Sequence, residues 1–404
     1  MRRIFKQMPT PSCGGKMAEY INPDYVPEPD KMNVKKGLEG VVMDTSKVSK
    51  VNPHTNSLIY RGYPVQDLAE NCSFEEVAYL LYNNELPTAS QLADFTKKER
   101  GYREISTTLL NVIKALPQKC HPMDSIRTAV SFLGTEDARI WDASPATNMD
   151  KAIQLLAKIP TMVAADYRFK KGLDFIPPKA DLTIAENFFH MCFGKVPQKE
   201  VVKAFDVSLI LYAEHSFNAS TFTARVVTST QSDIYSATVA GIGALKGPLH
   251  GGANEMVMHM MKEIADPAKA EQWMLDALAQ KKKVMGFGHR VYRSGDSRVP
   301  TMKKYAQVMA DVTGEQKWMQ MYTALEKVMV EKKKIYPNLD FPAGPAYYMM
   351  GFEIDFFTPI FVMARTTGWS AHIMEQAADN RIIRPLSEYV GHEQRKVVPL
   401  SERK

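Results

Sequence analysis

Gly286-Phe-Gly-His289-Arg-Val-Tyr-Arg293-Ser-Gly-Asp-Ser-Arg298 sets one imidazole among small residues and runs on into fixed cations. Glycine lets backbone approach a ligand closely, and guanidinium groups grip carboxylates or phosphates through paired hydrogen bonds. The segment therefore reads as an anion site carried on a loop, with a glycine-rich hinge and solvated arginines as the plainer alternative. Two other segments each hold one reactive group. His250 stands in Gly247-Pro-Leu-His-Gly-Gly-Ala-Asn-Glu255, where flexible backbone can present the ring just before a helix. Asp340 stands in Pro337-Asn-Leu-Asp-Phe341, where apolar neighbours strip solvent from a carboxylate and make it a stronger base. Taken alone, an Asp beside prolines is more often a turn or cap residue.

Outward from these segments the chain reads as helix. Ser73-Phe-Glu-Glu76 has the capping-box pattern, with Val77, Leu80 and Leu81 following at helical spacing. Further periodic stretches run from Asp124 to Leu133, Ala185 to Cys192, Val201 to Ala213, Ser232 to Leu245, Lys269 to Ala279 and Gln316 to Val330. From Met32 to Tyr63, β-branched residues mix with turn formers, which predicts short strands or irregular structure. Strands never alternate with the helices, so the architecture is mainly α with a small β element near the start. Gly241-Ile-Gly243-Ala-Leu-Lys-Gly247 has the wrong spacing for a dinucleotide loop and follows a helical pattern; its glycines fit close helix packing and a turn into Pro248.

A chain of 404 residues, 45% hydrophobic and 24% charged, can bury a large core and is long enough for two domains. The apolar run Phe356 to Ala364 stops at Arg365, far short of the roughly 20 residues that span a bilayer, so no membrane association is expected. Cys13, Cys72, Cys120 and Cys192 form no Cys-x-x-Cys pair, which fits a reducing compartment. A net charge of +6 is modest, and the basic clusters at 281–283 and 332–334 have few aromatics among them, so nucleic acid is not an expected partner. Those lysines are solvated helix faces or a site for a phosphate-bearing ligand. There is no His-x-x-x-His pair and no acidic cluster at ligand spacing around His215, His250 or His289, hence no expected metal; there is no Gly-x-Ser-x-Gly elbow either. Arg2, Arg3, Lys6 and Lys16 precede the first acid, Glu19, a bias suited to a transit peptide into the mitochondrial matrix or to a plain tail. A bacterial source would instead place the protein in the cytoplasm.

At its three reactive segments the chain resembles the citrate synthase superfamily. The likeness extends upstream through Leu211-Tyr-Ala-Glu-His215-Ser-Phe-Asn-Ala-Ser-Thr-Phe-Thr-Ala-Arg225. Downstream it continues through Phe357-Thr-Pro-Ile-Phe-Val-Met-Ala-Arg365-Thr-Thr-Gly-Trp-Ser-Ala-His372 and Arg384-Pro-Leu-Ser-Glu-Tyr389, covering nearly everything after Lys35. Phe217 to Arg225, Tyr348-Met-Met-Gly351 and the Ile383 to Tyr389 ending look most like the 2-methylcitrate synthases within it.

The resemblance implies a two-domain helical fold: a tail over 1–34, a large domain over 35–250 and 351–404, and a small one over 251–350, with the site in the cleft of a homodimer. It implies that Asp340 removes an α-proton from an acyl-CoA, that His250 hydrogen-bonds the thioester oxygen, and that His289 protonates the ketone oxygen of oxaloacetate. Arg298, Arg365, His215 and, across the dimer, Arg384 would hold oxaloacetate; Val284, Met285, Gly286, Phe287, Gly288, Arg293 and Lys333 would hold CoA. The CoA thioester, propionyl-CoA before acetyl-CoA, is a substrate, and no cofactor is expected. Citrate synthase proper, a non-catalytic CoA-binding dimer of the same fold and a citryl-CoA lyase module are the alternatives.

Overall fold

A computed structural model describes residues 34–403 apart from Arg293. Ser46–Ile383 form one compact unit, and the described residues of Met1–Thr45 and Arg384–Lys404 belong to a second. The tail expected over 1–34 lies, but for Val34, outside the described residues, as does Cys13.

Within the larger unit, β1 (Ser49–Asn52), β2 (Ser57–Tyr60) and β3 (Tyr63–Pro64) form an antiparallel sheet in that order, with Ser49 opposite Tyr60 and Val51 opposite Leu58. Pairing starts only at Ser49; the Gly40 to Asp44 stretch is irregular. The helices then follow: α1 (Val65–Asn71), α2 (Phe74–Asn83), α3 (Ala89–Gly101), α4 (Thr107–Ala115), α5 (Pro122–Thr135), α6 (Pro145–Lys170), α7 (Ile184–Phe193) and α8 (Lys199–Tyr212). After them come α9 (Ala219–Ser229), α10 (Ile234–Leu245), α11 (Ala253–Ile264), α12 (Pro267–Ala279), α13 (Val299–Thr313), α14 (Lys317–Lys333), α15 (Asp340–Met349) and α16 (Phe357–Ala378). The mainly α reading with a small N-terminal β element holds, and each stretch expected to be helical coincides with a helix to within three residues at its ends. No helix among the described residues is long and apolar enough to cross a membrane.

At Ser73 the capping box forms as the sequence predicts: the hydroxyl accepts from the Glu76 N–H at 3.3 Å, and Glu76 accepts from the Ser73 N–H at 2.7 Å. Ser73→Ala is expected to cost about 1 kcal/mol, read as a shift in the denaturation midpoint without a change in slope.

Two long helices escape a periodicity reading. Every residue from 357 to 373 in α16 is buried, so that helix has no polar face to reveal it. α6 contains Pro160, which removes one backbone hydrogen bond, yet residues 159–167 are all buried and the helix runs through. α16 packs against α6, α8, α9 and α10. Gly241 in α10 allows that approach, since a Cβ there would stand 3.1 Å from the Trp369 indole; Gly243 plays no such part, because a Cβ there would meet nothing within 4 Å. The Gly368 N–H bonds the Ala213 carbonyl at 3.1 Å and pins α16 to the link between α8 and α9.

Candidate active site

His250 stands in the link between α10 and α11. The Gly251 N–H reaches back to the Leu245 carbonyl at 2.9 Å, and a Cβ on Gly251 would collide with the Leu245 side chain at 2.6 Å, so glycine is required for this turn. His250 Nε2 lies 3.3 Å from the Ser220 N–H and 2.8 Å from Ser220 Oγ. A backbone N–H can only donate, so Nε2 is the bare nitrogen and the proton sits on Nδ1. Burial, reinforced by the positive Arg365, pushes the ring's pKa down to about 3.

His289 is fixed in the opposite sense. Its Nδ1 accepts from the Val291 and Tyr292 N–H groups at 3.0 and 3.2 Å, so Nε2 carries the proton. Burial and Arg298 hold it down at about 4, against a smaller upward pull from Asp296. The His215 ring centroid is 4.9 Å away, and Tyr292 packs against both rings. Burial, then Arg298 and His289, keep His215 well below the ordinary range, and its Nε2 is buried without a partner.

Arg298 closes the signature segment. Asp296 accepts from its backbone N–H at 3.1 Å, its Nε at 2.9 Å and its Nη2 at 2.6 Å, and also takes the Leu339 N–H at 3.2 Å. One carboxylate therefore ties the guanidinium to the residue preceding Asp340. Arg365, buried on α16, donates from Nε to the Tyr212 carbonyl at 2.8 Å and lies over the Phe361 ring, while its Nη1 has no partner. Burial lowers it to about 10, leaving it charged near neutrality.

Asp340, the first residue of α15, accepts the Tyr212 hydroxyl on Oδ1 at 2.7 Å. Burial raises its pKa from 3.8 to about 6, and the Tyr212 hydrogen bond, Arg298 and Arg365 restrain the rise. Tyr212 packs 4.2 Å from the Phe361 ring and His250 6.3 Å from the same ring. Phe361 thus links the carboxylate, the first histidine and Arg365. His215, His250, His289, Arg298, Asp340 and Arg365, scattered over 150 positions of sequence, share one neighbourhood in which His215, Arg298 and Arg365 are buried and the other three half-buried.

Segment 284–288 runs beside the strand-like approach to Asp340: the Gly288 N–H bonds the Tyr336 carbonyl and the Asn338 N–H the Gly286 carbonyl. Gly286 adopts φ +85°, and a Cβ there would meet Val257 at 2.5 Å. Val284 is buried, Met285 and Phe287 are half-buried, and Lys333 is exposed at the end of α14. Arg384 is exposed in the other compact unit, and Arg293 lies outside the described residues. Sequence reasoning missed Tyr212, Ser220, Asp296 and Phe361. All four sit inside the quoted motifs; Asp296 and Ser220 could have been flagged there as polar residues, whereas Tyr212 and Phe361 read as ordinary core.

The family model described as "Citrate synthase, C-terminal domain" matches residues 37–386. The chain belongs to the citrate synthase family. It is 60% identical over 366 residues to the 2-methylcitrate synthase of Mycobacterium tuberculosis, covering 91% of this chain and 93% of that one. It is 58% identical to the citrate synthase of Mycolicibacterium smegmatis, over 92% of this chain and 99% of that one. Among solved structures, the citrate synthase of Thermoplasma acidophilum, in ternary complex with carboxymethyl coenzyme A and oxaloacetate, superposes with a TM-score of 0.88 at 34% identity. That match covers 92% of this chain and 99% of its neighbour.

Proposed function

We propose that the protein is a 2-methylcitrate synthase, condensing propionyl-CoA with oxaloacetate and water to give 2-methylcitrate and CoA, with acetyl-CoA as a secondary substrate. The observation that carries this is a buried carboxylate held at about 6 beside two neutral imidazoles whose protons are fixed on opposite ring nitrogens.

The chemistry follows from those protons. A thioester α-proton is weakly acidic, so its removal needs a base and a donor for the developing oxyanion together. Asp340, ionised above about pH 6, takes the proton from the acyl carbon next to the carbonyl. His250 Nδ1–H hydrogen-bonds the thioester oxygen as it becomes an enolate. The enol carbon attacks the ketone carbon of oxaloacetate while His289 Nε2–H delivers its proton to the ketone oxygen. Water then hydrolyses the thioester and releases CoA. Arg298 and Arg365 receive the two carboxylates of oxaloacetate, with the unpartnered Nη1 of Arg365 as a ready donor and His215 beside them.

In this reading Arg384 of the partner subunit completes the anion clamp, which makes a homodimer part of catalysis. The backbone of 284–288 with Arg293 and Lys333 takes CoA, and residues 251–350 form a small domain that closes on the remainder. The thioester is a substrate and no cofactor takes part. The bacterial relatives favour a cytoplasmic location over a mitochondrial one.

Propionyl and acetyl groups differ by one methylene, worth about 1–3 kcal/mol in an apolar pocket. Steady-state kinetics with both thioesters are expected to give a kcat/KM about tenfold or more in favour of propionyl-CoA; a clear preference for acetyl-CoA would make the protein a citrate synthase proper.

A further inference from the structure

Ser216, the residue after His215, adopts φ +52°, a left-handed conformation that costs an ordinary L-residue energy and persists only where its surroundings impose it. Its N–H donates to Ser49 Oγ at 2.9 Å, and Ser49 Oγ in turn donates to Glu214 Oε1 at 2.9 Å. The same carboxylate oxygen accepts His372 Nε2–H at 2.8 Å, and both side chains of that pair are fully buried. Burial opposes charge on both groups, yet the pairing draws Glu214 below, and His372 above, its ordinary range. The Glu214 backbone is clamped as well, its carbonyl accepting the Tyr60 hydroxyl at 2.9 Å.

Three elements therefore converge on one turn: Ser49 from β1, Tyr60 from β2 and His372 from α16. The reactive chemistry uses none of these groups. What they enclose is the His215-Ser216 corner, whose imidazole points a partnerless Nε2 beside His289. A histidine on a relaxed turn would lose that placement.

We propose that Ser49 and the buried Glu214–His372 pair are positioning residues that impose the left-handed turn at Ser216 and so aim His215 at the α-keto dicarboxylate substrate. This rests on the reading of His215 as an oxaloacetate ligand. It also gives the N-terminal sheet a role: β1 supplies the hydroxyl that relays the Glu214–His372 contact to the turn.

Ser49→Ala tests it with little disturbance of packing, paired with Ser216→Gly, which adopts φ +52° without strain. Ser49→Ala is expected to raise the KM and Kd for oxaloacetate about tenfold while changing kcat less than about threefold. Adding Ser216→Gly is expected to restore both to within about twofold of the Ser216→Gly single variant. A crystal structure of unliganded Ser49→Ala should show Ser216 outside the left-handed region and the His215 ring displaced from His289. An unchanged turn overturns the proposal, and so does a loss of affinity that Ser216→Gly fails to repair. Failure of the wild-type protein to bind oxaloacetate in calorimetry would instead strike the functional reading, leaving the unliganded crystal structure to decide the turn.

Discussion

Asp340→Asn is expected to lower turnover of propionyl-CoA and acetyl-CoA alike by about 10³-fold, the scale of a lost general base, while the same change makes the folded protein more stable. Asn can still accept the Tyr212 hydroxyl, so the geometry of the turn survives the substitution. The stability gain has a definite sign. The Asp340 pKa rises on folding from 3.8 to about 6, so protonation favours the folded state: the contribution is complete below 3.8 and is lost as pH climbs through about 6. Above that pH the wild-type protein carries a buried anion at a cost of about 3 kcal/mol, which Asn removes. Denaturation of the variant against wild type should show no gain near pH 3, a growing gain to pH 6 and a plateau beyond.

The same ionisation sets the rate profile. His250 and His289, at about 3 and 4, are already neutral across pH 5–8, so neither contributes a limb in that window. The wild-type kcat/KM should therefore fall on the acid side with a single ionisation near 6. Full turnover by Asp340→Asn, or a variant no more stable than wild type at pH 8, would remove the buried base from the mechanism.

Local chemistry was legible in the sequence wherever one residue type dictates its own geometry. Ser73 and Glu76 announce a helix start because a hydroxyl and a carboxylate three positions apart satisfy two free N–H groups, and they do so here. The glycines of the quoted motifs were legible as turn formers too: Gly251 and Gly286 stand where a Cβ would collide with Leu245 or Val257. Convergence was not. Nothing in the order of residues says that Tyr212 at the end of α8 reaches Asp340 at the start of α15, a contact made across 128 positions. Nor can periodicity expose α16, whose Arg365, Thr366, Ser370 and His372 look polar but are all buried: Arg365 and His372 find their partners on other elements, and Thr366 on the Val362 carbonyl one turn back. The left-handed Ser216 is hidden for the same reason: serine does not ask for that backbone, and the groups that impose it stand at 49, 214 and 372.

Asp296→Ala is expected to damage stability and catalysis together, by routes that can be separated. The Asp296 side chain is fully buried and Arg298 is 7% exposed, so removing the carboxylate leaves the guanidinium with only a long hydrogen bond to the Leu211 carbonyl at 3.4 Å. Breaking such a pair from one side costs about 3–5 kcal/mol, and the Leu339 N–H loses its acceptor as well. The electrostatics at the base move in a predictable direction. Asp296 raises the Asp340 pKa while Arg298 lowers it, so the lone cation pulls Asp340 below its value of about 6 and weakens it as a base. The acid limb of kcat/KM should shift to lower pH even as the plateau falls. The double variant Asp296→Leu/Arg298→Met removes the stranded charge and is expected to recover most of the lost stability, because an apolar pair of similar volume replaces a buried ion pair at little cost. Oxaloacetate binding should not recover with it, since the proposed clamp has lost the guanidinium assigned to a substrate carboxylate. If the double variant were as unstable as Asp296→Ala, the penalty would belong to packing and the severed Leu339 bond; if it bound oxaloacetate normally, Arg298 would not be part of the clamp.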